Sequence, residues 1–178
     1  MKLREFFLAE DGDNLEKRAE RLAALHEIDP RATAIDGHAG LSSCSLFYGR
    51  KNDIWKVGIE NMSISPLKGL KGKKTKTLVP VLDVVELSNG DWAVRMPKLR
   101  ELSIIDLQKI YTVITDNGRD EDGNDFVKFD PDAEPATLSW IHDCFAELES
   151  AGLFPPDFQG EENFMQDSNG DWRYIDLA

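Results

Sequence analysis

The chain has 178 residues, a hydrophobic content of 41% and a formal net charge of −12. That length suits one domain or two small lobes around a shared cleft, and the apolar fraction is adequate for a packed core. No run of about eighteen consecutive apolar residues occurs, so no membrane span is expected. The apolar run within residues 1–10 is too short for a signal peptide, and the expected compartment is the cytoplasm.

A uniformly acidic surface disfavours direct binding to nucleic acid. It leaves solubility as the default reading, then a basic protein partner, then mimicry of nucleic-acid charge. Cys44 and Cys144 lie in different apolar segments without a CxxC spacing or a histidine partner, and read as two buried thiols.

Residues 13–27 read as a helix. Leu15, Ala19, Leu22 and Leu25 or His26 form its apolar stripe, Asp13 with Glu16 fits a capping-box start, and Pro30 stops it. The other face, with Glu16, Lys17, Arg18, Glu20 and Arg21, is read as solvated. Thr33, Ala34 and Ile35 are extended, and residues 36–43 form a turn of small residues. Residues 44–48 and 54–59 are strands joined by the polar residues 50–53. Lys56 sits inside the second of these, between Trp55 and Val57.

Residues 61–77 contain Pro66, Gly69 and Gly72, which oppose a long helix, together with Lys68, Lys71, Lys73, Lys74 and Lys76. They read as a mobile basic loop, either solvated or binding phosphate or a partner. Residues 78–87 and 92–96 form a hairpin around Asn89-Gly90, followed by Pro97, Lys98 and Leu99.

Residues 103–114 are a helix with Ile104, Leu107, Ile110, Tyr111 and Ile114 on one face and a capping box of Ser103 and Asp106. Residues 116–135 read as an acidic, solvated loop whose glycines do not fall in calcium-loop register. Residues 136–151 are a third helix, with Leu138, Ile141, Phe145 and Leu148 as its stripe, His142 on its surface and Gly152 as its stop.

The last stretch, residues 162–178, places Asn169-Gly170 between two apolar pieces and predicts a hairpin with a type I′ turn. The hairpin brings Asn163 and Asp176 to one end of a ribbon. An amide oxygen and a carboxylate suit a hard cation such as magnesium.

Taken together, these features resemble the protein-kinase-like superfamily, especially its aminoglycoside- and choline-kinase-like branches and small bacteriophage kinase-like proteins. The resemblance covers roughly residues 33–178 and rests on order. A small-residue loop precedes a lysine strand; a hairpin and a hinge like the "MPxL" hinge of small-molecule and phage-type kinases follow; an Asn–hairpin–Asp run comes last. It implies a single α+β domain with a minimal protein-kinase-like fold: an N-terminal helix over residues 1–30, an antiparallel sheet lobe over 31–99, and a reduced helical lobe over 100–178 closed by a β-hairpin. It also implies ATP and magnesium as ligands. Gly37, Gly40, Ser42 and Ser43 would cover the phosphates, Lys56 would contact the α- and β-phosphates, and Met96 and Leu99 would meet the adenine. Asn163 and Asp176 would hold the metal, and Asp157 would be the catalytic base.

The sequence also departs from the family. Asp157 lies six residues before Asn163, where the HRDxxxxN pattern has five, and no histidine precedes it. Phe158 occupies the strict base position. No helix carrying a glutamate partner for Lys56 is expected in residues 61–77, with Glu60 the nearest acid. The sequence given ends two residues after Asp176, so the resemblance implies truncation after the metal-binding aspartate. The two functions that follow are a phosphotransferase from ATP to an acceptor, and a degenerate pseudokinase that binds or inhibits a host or regulatory protein. The compartment would be the host cytoplasm for a phage-encoded chain.

Overall fold

Hydrophobic periodicity and turn chemistry place most elements near their sequence positions. The structure, a computed structural model, describes residues 12–35, 44–59, 61–119, 125–153 and 163–177. It is mixed α+β, and the chain divides into two compact units: Met1–Lys73 with Pro80–Lys98, and Lys74–Val79 with Leu99–Leu177.

The first unit begins with α1 (Gly12–His26) and β1 (Thr33–Ala34), then β2 (Ser45–Tyr48), β3 (Asp53–Val57), α2 (Asn61–Leu70), β4 (Asp83–Glu86) and β5 (Trp92–Pro97). The strands form one antiparallel sheet in the order β1-β2-β3-β5-β4. Phe47, Trp55, Val57 and Ala93 alternate onto one sheet face and pack with Ala24 and Leu25 of α1. Leu15 and Ala19 are exposed, so the buried stripe of α1 differs from the expected one.

Arg21 is part of that buried stripe, at 4% exposure, and not of a solvated face. Its guanidinium donates to Asp91 at 2.9 Å and to Ser45 Oγ at 3.2 Å. Burial of an arginine is tolerable when its charge and its donors are matched in this way. Nearby, buried Asp29 accepts from Trp55 Nε1 at 3.0 Å and from the Arg50 amide at 3.2 Å.

The helix α2 stands where a loop is expected. Pro66 lies inside it and removes one backbone donor, a cost of about 3 kcal/mol in a helix interior. Burial of Ile64, Leu67 and Leu70, spaced at three residues, works against that cost. Gly72 does not break this helix but follows its end, at φ +73, where the left-handed conformation favours glycine. The helix packs on β4 and β5, and Lys68 sits 4.1 Å over the Trp92 ring.

The second unit contains β6 (Arg100–Glu101), α3 (Ile104–Val113), β7 (Ile114–Arg119), β8 (Asp125–Phe129), α4 (Pro135–Ala151), β9 (Phe164–Gln166) and β10 (Trp172–Tyr174). The expected acidic loop is in fact largely a hairpin, with β7 and β8 antiparallel. The helix ends follow local chemistry. Ser103 Oγ caps the Asp106 amide at 3.1 Å, and Gly152 at φ +73 closes α4 while Leu153 donates to Leu148 at 2.9 Å. The α3 face is narrower than its sequence suggests: Ile110 and Val113 are buried, whereas Ile104 is 74% exposed.

The strands β6, β9 and β10 form a three-stranded antiparallel sheet. Phe164 is its aromatic hub, in edge contact with Tyr111 at 6.3 Å and Tyr174 at 5.7 Å.

Both Asn-Gly hairpins differ from the expected type I′ turn. In each, Gly90 or Gly170 has positive φ but the preceding asparagine does not. Gly90 donates to Leu87 and Leu87 to Asp91; likewise Gly170 donates to Asp167 and Asp167 to Asp171. These are three-residue connections with glycine in the left-handed position. The pentapeptide Ser-Asn-Gly-Asp-Trp occurs at both turns, residues 88–92 and 168–172, and adopts the same turn twice.

Candidate functional site

Lys56 occupies the middle of β3, opposite Leu46 on β2 and Val94 on β5. Strand alternation turns it to the sheet face opposite Trp55 and Val57. Met96, two residues beyond Val94, lies on the same face as Lys56 and is buried. Two of the predicted nucleotide contacts therefore share one surface of the first unit. The chain leaves that unit between Lys98 and Leu99, and Leu99 belongs to the second.

The helix expected to be missing after the lysine strand is present as α2. Its sequence, Asn61–Leu70, holds no aspartate or glutamate. Gly37, Gly40, Ser42, Ser43, Glu60 and Asp157 lie outside the described residues.

In the second unit, Asn163 and Asp176 are brought to one end of the β9–β10 hairpin. The Ile175 amide donates to the Asn163 carbonyl at 2.9 Å, which extends the ladder past Phe164 and Tyr174. Leu177 donates to Ile175 at 3.0 Å, making Asp176 the centre of a three-residue turn at the strand end. Tyr174 and Leu177 are buried on either side and anchor that turn. Asn163 is 9% exposed and Asp176 is half-buried.

A carboxylate and an amide are both hard oxygen donors, and magnesium is commonly held by one or two such side chains with phosphate oxygens completing the shell. The donor set of Asn163 and Asp176 fits that chemistry. Among the described residues, no group of three or more His, Cys, Asp or Glu side chains is placed to hold a metal ion.

Beside this hairpin lies a polar cluster that the sequence reading missed. Residues 74–79, of which 74–77 read as the end of a mobile basic loop and 78–79 as the start of a hairpin strand, are pinned by side chains from α4 and β10. Glu147 accepts from the amides of Lys76, Thr77 and Leu78 at 2.7, 2.9 and 3.2 Å, and from the Thr77 hydroxyl at 2.7 Å. Burial pushes the Glu147 carboxyl up, but these hydrogen bonds outweigh it and leave the group below its ordinary value. Lys76 also pairs with Asp143. Arg173 donates to the carbonyls of Thr75 and Lys76 at 3.1 and 2.7 Å while pairing with Asp167 at 2.7 Å. The signal in the sequence was the spacing of Asp143 and Glu147, four apart on a helix whose Cys144 and Leu148 are buried.

No protein-family model matches the chain, and no curated protein sequence matches it. Among the described residues, no helix is long and apolar enough to cross a membrane.

Proposed function

We propose that the protein is a nucleotide-binding, kinase-like protein that takes ATP with magnesium and transfers phosphate to an acceptor. The observation that carries this reading is the placement of Lys56. It lies mid-strand in the third strand of a five-stranded antiparallel sheet, with a helix directly after that strand. The kinase-like resemblance implies a helix at this place, and the sequence alone had argued against one. Support from the second unit comes from Asn163 and Asp176 at one hairpin end.

In this reading Lys56 holds the α- and β-phosphates, residues 37–43 cover them, and Met96 and Leu99 flank the base. Asn163 and Asp176 hold magnesium, which when bound neutralises phosphate charge. Asp157 is the base. Phosphoryl transfer depends mainly on positioning and charge neutralisation, so in this reading a reduced site retains some activity.

A second reading, a pseudokinase-type module that binds a host or regulatory protein, is favoured by two observations. The helix α2 itself holds no aspartate or glutamate, where the kinase-like resemblance implies a glutamate. Asp157 is offset by one residue from the base position.

Thermal unfolding with ATP, with and without magnesium, separates the readings. A ligand that binds only the native state stabilises it by about 2.7 kcal/mol at a hundred times its dissociation constant. The enzyme reading expects a magnesium-dependent rise in Tm that is lost in Lys56→Ala and in Asp176→Asn. No shift at millimolar ATP would remove the nucleotide from the proposal and leave the binding module.

A further inference from the structure

We infer that Glu147 is a positioning residue for the Asn163–Asp176 end of the terminal hairpin, acting through residues 76–79. Its functional consequence rests on the nucleotide-and-metal reading above; its mechanical part stands on geometry alone.

Three successive amides, Lys76, Thr77 and Leu78, converge on one carboxylate, and the Thr77 hydroxyl adds a fourth donor. Such a run of backbone N–H groups is an anion-binding concavity, here filled by a side chain of α4. Thr77, Leu78 and Val79 are buried, so without Glu147 the Thr77 and Leu78 amides would lack this partner away from water.

The other edge of the same segment is the partner of β10. Tyr174 donates to the Thr77 carbonyl at 2.8 Å, and Val79 donates to the Tyr174 carbonyl at 2.9 Å. Leu78 and Tyr174 thus form a parallel bridge on the edge of β10 away from β9. The next residue, Ile175, binds Asn163, and the one after that is Asp176. An unbroken series of backbone bonds therefore runs from the Glu147 carboxylate to the turn that presents Asp176. Removing the carboxylate loosens residues 76–78, takes the edge partner from β10 and frees the Ile175–Leu177 turn. A metal site built on that turn then pays an ordering cost on binding.

The test uses the full chain and reads amide hydrogen exchange at Val79, Tyr174 and Ile175, together with ATP binding in magnesium and in EDTA. Glu147→Ala is expected to speed exchange at these three amides about tenfold or more, the effect of losing a charge-assisted hydrogen bond. It should weaken ATP binding in magnesium while leaving binding in EDTA unchanged. Glu147→Gln, which keeps a carbonyl acceptor, should lie between it and wild type. Asp143→Asn, which alters only the exposed partner of Lys76 on the same helix face, should change neither readout.

Unchanged exchange at Ile175 in a folded Glu147→Ala protein overturns the inference. So does a loss of ATP affinity that is equal with and without magnesium. A wild-type chain that binds no ATP removes the functional reading, and exchange at Ile175 then decides the mechanical coupling by itself. If Glu147→Ala does not fold, Glu147→Gln and Thr77→Val carry the same exchange comparison with the same two outcomes.

Discussion

Replacing Gly58 with alanine should destabilise the first unit far more than the same change at Gly90. Both glycines have positive φ, +94° and +85°. Each replacement therefore incurs the cost of placing a Cβ in left-handed backbone, about 1–2 kcal/mol. At Gly90 the new methyl meets nothing within 4 Å. At Gly58 it would lie 2.1 Å from Arg21 Nη2 and 2.4 Å from Arg21 Cζ, so the guanidinium must move. That guanidinium is buried and bound to Asp91 and Ser45. Losing a hydrogen bond to a charged group costs about 1.5–3 kcal/mol, which brings the total for Gly58→Ala to about 2.5–5 kcal/mol. Urea unfolding followed by tryptophan fluorescence, to which Trp55 and Trp92 of the first unit contribute beside Trp140 and Trp172 of the second, measures both variants. A double-mutant cycle sharpens the comparison. In an Arg21→Ala background the methyl has room, so Gly58→Ala should cost about the same as Gly90→Ala, with a coupling of about 1.5–3 kcal/mol. Equal costs at Gly58 and Gly90 in the wild-type background would refute the placement of Arg21 against Gly58.

Acid should weaken the fold through Asp29, Asp83, Glu147 and Asp167. In each, burial raises the carboxyl pKa, but hydrogen bonds from partners such as Trp55, Lys71, the residue 76–78 amides and Arg173 outweigh it. All four therefore lie below their unfolded values of 3.8 for aspartate and 4.5 for glutamate. Groups with depressed folded values contribute stability that is complete above the unfolded pKa and is lost as pH falls through the folded one. Stability from these groups should thus be flat above about pH 5 and decline below it, as read from urea midpoints against pH; a midpoint that rises on acidification from pH 5 would contradict the assignment. The Cys144 thiol, pushed up to about 12 by burial, should stay unreactive towards a disulfide reagent at pH 8 in the native protein, so that labelling stays confined to half-buried Cys44 until the chain unfolds. Equal native rates for the two thiols would count against the burial of Cys144.

What the sequence settled by itself was local. Ser103 and Asp106 mark the start of α3, and Gly152 ends α4, because caps are satisfied by residues one to four positions away. Asn89-Gly90 and Asn169-Gly170 mark two turns, although the turn type followed from which residue needed positive φ. The position of Lys56 within a strand, and of Asn163 and Asp176 at one end of a hairpin, also followed from short-range pattern. Tertiary structure decided the rest. Pro66 and Gly69 argue against a helix in isolation, yet α2 forms because Ile64, Leu67 and Leu70 find a surface to bury against. Arg21 looks like any arginine on a polar face; partners such as Asp91, seventy residues away in sequence, and Ser45 make its burial tolerable. Residues 76 and 77 read as the end of a basic loop and Leu78 as the start of a strand, but all three amides are held by a glutamate about seventy positions later. Local signals give the caps and turns of elements, whereas the buried face of a helix, a buried charge or a pinned backbone segment depends on a partner that the chain brings near only when it folds.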